Sequence, residues 1–172
     1  MLVQFESVTL RDFTATDIND KIRWINDPEN HCYLHYDIPL EYDKTLQWFL
    51  SKNNSNRLDL VIEYENIPVG LIGLLGIDHA NSKAEYYICL GEKQYKGRGI
   101  AKAASVALIN YAFDELVLNK VYLNVDAKNT VACHLYEKIG FECEGYFRED
   151  LFHCGEYIDR KRYAILRTQF QR

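Results

Sequence analysis

Gln94-Tyr95-Lys96-Gly97-Arg98-Gly99-Ile100-Ala101 stands between two stretches of different hydrophobic period. Before it, residues 84–90 (AEYYICL) have the residue types of a strand. After it, Ile100, Ala101, Ala104, Ala107, Leu108, Tyr111 and Ala112 recur at helical spacing as far as Leu116, and the apolar run 120–125 reads as a further strand. Strand, glycine turn, helix and strand make a β-α-β unit with its glycines at the helix N-terminus. Glycines let a backbone turn tightly and approach a ligand, and a helix N-terminus carries about half a positive charge. A loop of this kind suits a pyrophosphate. Lys93, Lys96, Arg98 and Lys102 reinforce it, with no acid between 93 and 104. A solvated glycine turn is the plain alternative. The loop is not a P-loop, lacking Gly-Lys-Ser/Thr, and not a dinucleotide fingerprint, lacking the third glycine.

Upstream, residues 2–11 alternate and read as one strand, and Thr14-x-x-Asp17 resembles a helix N-cap. A helix through Ile18, Ile22 and Ile25 stops at Pro28, residues 30–39 read as a loop, and a second helix spans 41–52. Strands follow at 58–64 and 69–77 about the turn Glu65-Asn66. Downstream, 129–139 is helical, and 141–152 and 157–166 are strands about Cys154-Gly155. The order predicts a mixed α+β sheet flanked by helices.

Composition bounds the function classes. With 172 residues, 48% hydrophobic and 26% charged, the chain suits a single domain over 1–172. No apolar run of about 18 residues occurs, and the start MLVQFESVTLRDF alternates and carries charge, which argues for a cytoplasmic protein without a membrane span. A net charge of −5 argues against nucleic acid as the main partner and agrees with a cationic substrate. The five cysteines, Cys32, Cys89, Cys133, Cys143 and Cys154, are scattered without a C-x-x-C pair, so neither a disulfide framework nor a metal site is expected.

A second motif runs from Asn129 through Ala132, Leu135, Tyr136 and Lys138 to Gly140-Phe141. Asn129 and Tyr136 are two helical turns apart on nearly one side and could offer one ligand two polar handles. Equally, Asn129 could be an N-cap and Tyr136 a core aromatic.

Together the two motifs resemble the GNAT superfamily of N-acetyltransferases. Gln94-x-x-Gly97-x-Gly99 is similar to its acyl-CoA signature Q/R-x-x-G-x-G/A, and 129–141 is similar to its N-x-x-A-x-x-L-Y-x-K-x-G-F helix. The resemblance covers roughly 69–166. Ala84-Glu85-Tyr86, Tyr111-Ala112-Phe113, residues 144–148 (EGYFR) and 155–159 before Tyr163 look like the branch that includes ribosomal-protein alanine, spermidine and amino-sugar-nucleotide acetyltransferases. It implies a mixed, mostly antiparallel sheet splayed at the cofactor strand. It also implies acetyl-CoA as cofactor and a small-molecule primary amine that attacks directly in a ternary complex. On that resemblance Gln94, Lys96, Gly97, Arg98, Gly99, Ile100 and Ala101 hold the pyrophosphate, Cys89, Leu90 and Gly91 pair with the pantetheine arm, and Asn129 contacts the cofactor. Tyr136 donates a proton to the departing thiolate. Glu85 is the candidate base, with a water path or a substrate-orienting role as alternatives. A homodimer and a non-catalytic acyl-CoA-binding regulator stay open.

The acceptor must be read from the first helices. His31, Tyr33, His35, Tyr36 and Tyr42 stand against three acids, Asp37, Glu41 and Asp43, a lining suited to stacking. This ranks an amino sugar nucleotide above a polyamine or a protein N-terminus. Trp24 and Trp48 are further candidates for the acceptor wall, with Trp48 favoured as core. His31, His35, His134 and His153 have no evident partners in the sequence.

Overall fold

Strand-forming runs separated by tight polar turns pair with their chain neighbours, and this generates the first half of the sheet. In the computed structural model, which describes residues 2–52 and 55–170, β1 (Leu2–Phe5), β2 (Val8–Asp12), β3 (Leu58–Tyr64), β4 (Ile67–Asp78) and β5 (Lys83–Leu90) form an antiparallel meander. Between β2 and β3 lie α1 (Ile18–Asn26), the short α2 (Pro28–His31) and α3 (Tyr42–Ser51). Then α4 (Ile100–Asp114) crosses over to β6 (Lys120–Asp126), and α5 (Thr130–Ile139) leads to the hairpin of β7 (Glu142–His153) and β8 (Glu156–Leu166). The strand order is β1-β2-β3-β4-β5-β6-β8-β7, and β5 and β6 run parallel, as a helical crossover permits.

The reading of 2–11 as one strand is corrected to a hairpin, β1 and β2, turning at Glu6 (φ 54°). Glu6-Ser7 has no glycine, asparagine or proline to mark a turn, and the alternation runs through it. The expected N-cap at Thr14 is present as a 3-10 turn over Ala15–Asp17, where Asp17 accepts from Thr14 N at 2.8 Å. Arg11 grips the same carboxylate with both Nη atoms at 2.8 Å and ties the turn to β2. The stretch read as loop begins with the last residues of α2.

Alternation along the strands sends side chains to two cores. Leu10, Leu60, Ile62, Ile72 and Leu74 meet Ala104, Ala107 and Leu108 of α4 on one face. Val61 and Leu71 meet Phe13, Ile18 and Trp24 under α1 and α3 on the other. Because α4 is buried around most of its circumference, it needs an apolar sequence on all sides. Among the described residues no helix is long and apolar enough to cross a membrane.

The second core holds a buried ionic cluster. Asp59 on β3 accepts from Arg57 at 2.7 and 2.8 Å, from Tyr87 on β5 at 2.7 Å and from Lys52 beyond α3 at 3.1 Å. Burial pushes the Asp59 carboxyl up, but the hydrogen bonds from Arg57 and Tyr87 and the charges of Arg57 and Lys52 outweigh it and hold the group below its ordinary value. Its folded pKa is thus lower than its unfolded one. The stabilisation is complete above the ordinary value of 3.8 and is lost as pH falls through the folded pKa. Asp59→Asn strands two partly buried cations and is expected to cost about 3 kcal/mol. Thermal melts at neutral pH should show a Tm lower by roughly 10 °C. Between pH 5 and pH 2 the difference should shrink, because the wild type loses there what the variant already lacks.

Candidate functional site

The parallel pairing of β5 with β6 stops after Lys83↔Lys120, Ala84↔Val121 and Glu85↔Tyr122. Beyond Glu85, β5 keeps its β4 partners as far as Leu90↔Gly70, and beyond Tyr122, β6 keeps its β8 partners as far as Asp126↔Arg160. The two strands therefore diverge with one edge each held and the facing edges open. Unpaired backbone groups demand partners. A ligand with amides of its own can supply them.

Between the strands lies a cleft of about 1070 Å³, at the upper end of ligand pockets and roomy enough for an extended cofactor with a small second ligand. Its wall carries charges of both signs. At one end the loop before α4 turns through Gly97 (φ 77°) and Gly99 (φ 80°), a region of backbone space that suits glycine, and Gly99 caps the helix. The first-turn N–H groups of α4 have no helical acceptors and face this end, with Lys96 and Lys102 on the wall. Glu85 stands at the apex, and Asn124 and Asp126 line the β6 wall beyond it, with Arg160 of β8 also on the wall. Asn124 Nδ2 donates to Glu85 Oε1 at 2.9 Å.

The structure brings together on this cleft Cys89, Leu90, Lys96, Gly97, Gly99, Ile100, Ala101, Asn129, Tyr136 and Glu85. Gly91, Gln94 and Arg98 are not on its wall. The Gly91 N–H bonds Val69 O at 2.9 Å and its carbonyl accepts from Asn30 at 3.0 Å, while a Cβ there would run into the Trp24 ring. Gln94 is exposed on a 3-10 turn, and the Arg98 guanidinium lies over Tyr95 at 5.3 Å. Burial pushes the Cys89 thiol up to about 11, so it stays protonated and unreactive near neutral pH.

Asn129 is an N-cap and Tyr136 a core aromatic, and both also line the cleft. Asn129 caps α5 by accepting from Ala132 N at 3.2 Å, which leaves Nδ2 to offer a ligand. The Tyr136 ring packs against Tyr86, Phe141 and Tyr163 with centroids 5.9–6.2 Å away, yet it also lines the cleft. Burial pushes its phenol well above the ordinary value. At neutral pH the group is a hydrogen-bond donor.

Of the aromatic residues considered for an acceptor wall, Tyr33 and Tyr36 line the cleft. Trp24 is buried and donates to Glu92 at 2.9 Å, Tyr42 is exposed away from the cleft, and Trp48 packs in the second core over Lys21, 3.6 Å from its ring. Burial lowers the Lys21 amine to about 8. Sequence reasoning missed Asn124 and Asp126. Both share the Glu85 face through the period-two alternation of β6, a signal that could be used only once β6 was known to lie beside β5. The partner of His35 is Asp126, at 3.2 Å.

A family model described as an acetyltransferase (GNAT) domain matches residues 7–142. The spermidine N(1)-acetyltransferase of Vibrio cholerae is 31% identical over 166 residues, covering 95% of each chain. A putative ribosomal N-acetyltransferase, YdaF, of Bacillus subtilis is 33% identical over 126 residues, 72% of this chain and 67% of that one. A crystal structure of the V. cholerae spermidine enzyme with CoA and spermine superposes with a TM-score of 0.87 at 29% identity, over 95% of this chain and 97% of that one.

Gly99→Glu places a carboxylate and a Cβ where the helix N-terminus faces the basic end of the cleft. Wild-type protein should show a CoA-dependent rise in Tm. The variant should show none at the same CoA concentration, and an unchanged rise would remove the loop from the binding site.

Proposed function

The chain belongs to the GNAT family of acetyl-CoA-dependent N-acetyltransferases, and from that premise we propose that its acceptor is an aliphatic, polycationic amine of the polyamine kind. The observation that carries this reading is the pair of carboxylates, Glu85 and Asp126, on the β5 and β6 walls of a cleft whose glycine loop and lysines before α4 suit the phosphates of CoA. The carboxylates suit ammonium groups. The acids of the 30–42 loop are few, but two further carboxylates on the cleft wall, Glu85 and Asp126, come from β5 and β6, and a nucleotide's own phosphates would meet them unfavourably. The two spermidine acetyltransferase comparisons, which span nearly the whole chain, support the same choice.

The residues fit acetyl-CoA as follows. Gly97, Gly99, Ile100 and Ala101, with Lys96 and Lys102, hold the pyrophosphate through backbone N–H groups and charge. The open edge of β5 at Cys89 and Leu90 pairs with the pantetheine amides, and Asn129 Nδ2 adds a donor. Gln94, Gly91 and Arg98 shape the loop from outside the cleft. CoA supplies the acetyl thioester, and the chain's own groups manage its protons and charge.

An alkyl ammonium with an ordinary pKa of about 10.4 must lose a proton before it can attack. Glu85 receives that proton, directly or through water, and Asn124 fixes the carboxylate by its hydrogen bond. As the C–N bond forms, a β5 backbone N–H stabilises the oxyanion. As the C–S bond breaks, Tyr136 would hydrogen-bond the departing sulfur, which would leave as the thiol with the second proton that the attacking nitrogen sheds. Since the phenol is pushed above its ordinary value while a thiol lies near 8.5, full proton transfer runs uphill. Tyr136 therefore acts chiefly through the hydrogen bond that strengthens as negative charge grows on sulfur.

Tyr136→Phe keeps the ring packing and should lower kcat by about 10- to 1000-fold with CoA affinity retained. Glu85→Gln should remove the acidic limb of the pH–rate profile, and an intact limb with a raised KM would make Glu85 a binding group. The acceptor assignment is tested by a panel with acetyl-CoA that monitors thiol release. Spermidine should exceed a 4-amino sugar nucleotide in kcat/KM by about tenfold or more, equivalent to about 1.4 kcal/mol. The reverse order would overturn the acceptor and leave the N-acetyltransferase standing.

A further inference from the structure

Asp126 is buried, with 6% of its surface exposed, and it lines the cleft. Its Oδ2 is engaged by His35 Nε2 at 3.2 Å, but its Oδ1 accepts no hydrogen bond from any described residue. A buried carboxylate oxygen without a donor is costly and calls for a cationic or hydrogen-bonding partner. The nearest basic residue in the sheet is Arg160, directly across on β8, yet its guanidinium is turned to Asp150, with Nε 2.6 Å from Oδ2. The position is rigidly held. Asn129 N donates to the Asp126 carbonyl at 2.9 Å, and the His35 ring is braced edge-on against His153 at 5.2 Å. A loop residue on one side and the end of a strand on the other thus fix a carboxylate with one oxygen left open.

Resting on the polyamine reading of the same cleft, we propose that Asp126 Oδ1 anchors a second ammonium of the acceptor, so that the chain selects diamine units over monoamines. Asp126 lies two residues beyond Asn124, the partner of Glu85, on the same face of β6, so Asn124, which holds Glu85, and Asp126 are about 7 Å apart along the strand. That is close to the reach of a four-carbon chain between two amines. The reacting amine sits at Glu85, and the second, still protonated, sits at Asp126. His35 is a positioning residue, since it holds the carboxylate and does not meet the acceptor.

The test compares butane-1,4-diamine with n-butylamine as acceptors, acetyl-CoA as donor, and the full chain as enzyme. Wild type should favour the diamine in kcat/KM by about tenfold or more, the range of one charge-assisted hydrogen bond, and Asp126→Asn should bring the ratio to within about threefold of unity. Asp126→Glu, which restores the charge, should recover most of the preference. The CoA-dependent rise in Tm reports in each variant that the cleft is folded. A wild-type ratio near one overturns the proposal, as does an Asp126→Asn ratio equal to wild type. A fall in Tm without a change in ratio also overturns it and makes Asp126 a structural partner of His35. Turnover of neither alkyl amine, with CoA binding intact and spermidine acetylated, overturns the anchor alone, and failure of spermidine too overturns the polyamine reading with it.

Discussion

Everything at the centre of this molecule depends on a pairing that ends early. Two parallel strands joined by a long helical crossover hold together for three residue pairs and then separate, because each has a full partner on its outer side. The outer pairings resist twisting apart, so the inner edges open as a wedge without the sheet losing its other ladders. Backbone that would be orphaned in a closed sheet becomes recognition surface. The wedge also fixes which side chains can act. Alternation places Glu85, Asn124 and Asp126 on one face of the gap, and Tyr136 reaches it from the helix that follows β6.

Charges of both signs line the wedge. The α4 N-terminus needs no long-range ion pair to be positive, since its unsatisfied N–H groups provide that by geometry. Lys96 is drawn to the same end and bonds Asn30 of α2 at 2.6 Å, which links the cofactor loop to the acceptor side of the fold. Glu85 lies at the apex, where β5 still has both neighbours, and Asp126 lies beyond it on β6 where the strands have parted.

The second core is more polar than its position would suggest. Lys21 sits over Trp48 with Phe13 and Tyr36 at 5.7 Å, and Asp59 gathers Arg57, Lys52 and Tyr87. Buried ionic groups of this kind rarely stabilise more than an apolar core would, but removing one partner is expensive. Tyr36 and Tyr87 also line the cleft, so the ionic cluster and the aromatic cage around Lys21 set the position of the acceptor-side floor.

The sequence by itself determined the local elements and, through its resemblance to the GNAT family, the fold. Glycines at 97 and 99 ahead of an apolar helix, and an N-cap followed seven residues later by a tyrosine, are short-range patterns whose meaning survives without knowing the neighbours. That is why the motifs holding Gly99, Ile100, Ala101, Asn129 and Tyr136, all of which line the cleft, stood out in the chain, and why all the helices that flank the sheet, apart from the one-turn α2, were legible. The hairpin at Glu6 escaped because positive φ there is imposed by strand pairing and not by residue type. The acceptor end was illegible for a related reason. Asp126 and His35 are 91 positions apart, and Glu85 and Asn124 are 39 apart. Neither pair has meaning until β6 is laid beside β5, because which side chains share a face, and which carboxylate oxygen lacks a donor, are properties of packing between strands that no one-dimensional spacing encodes.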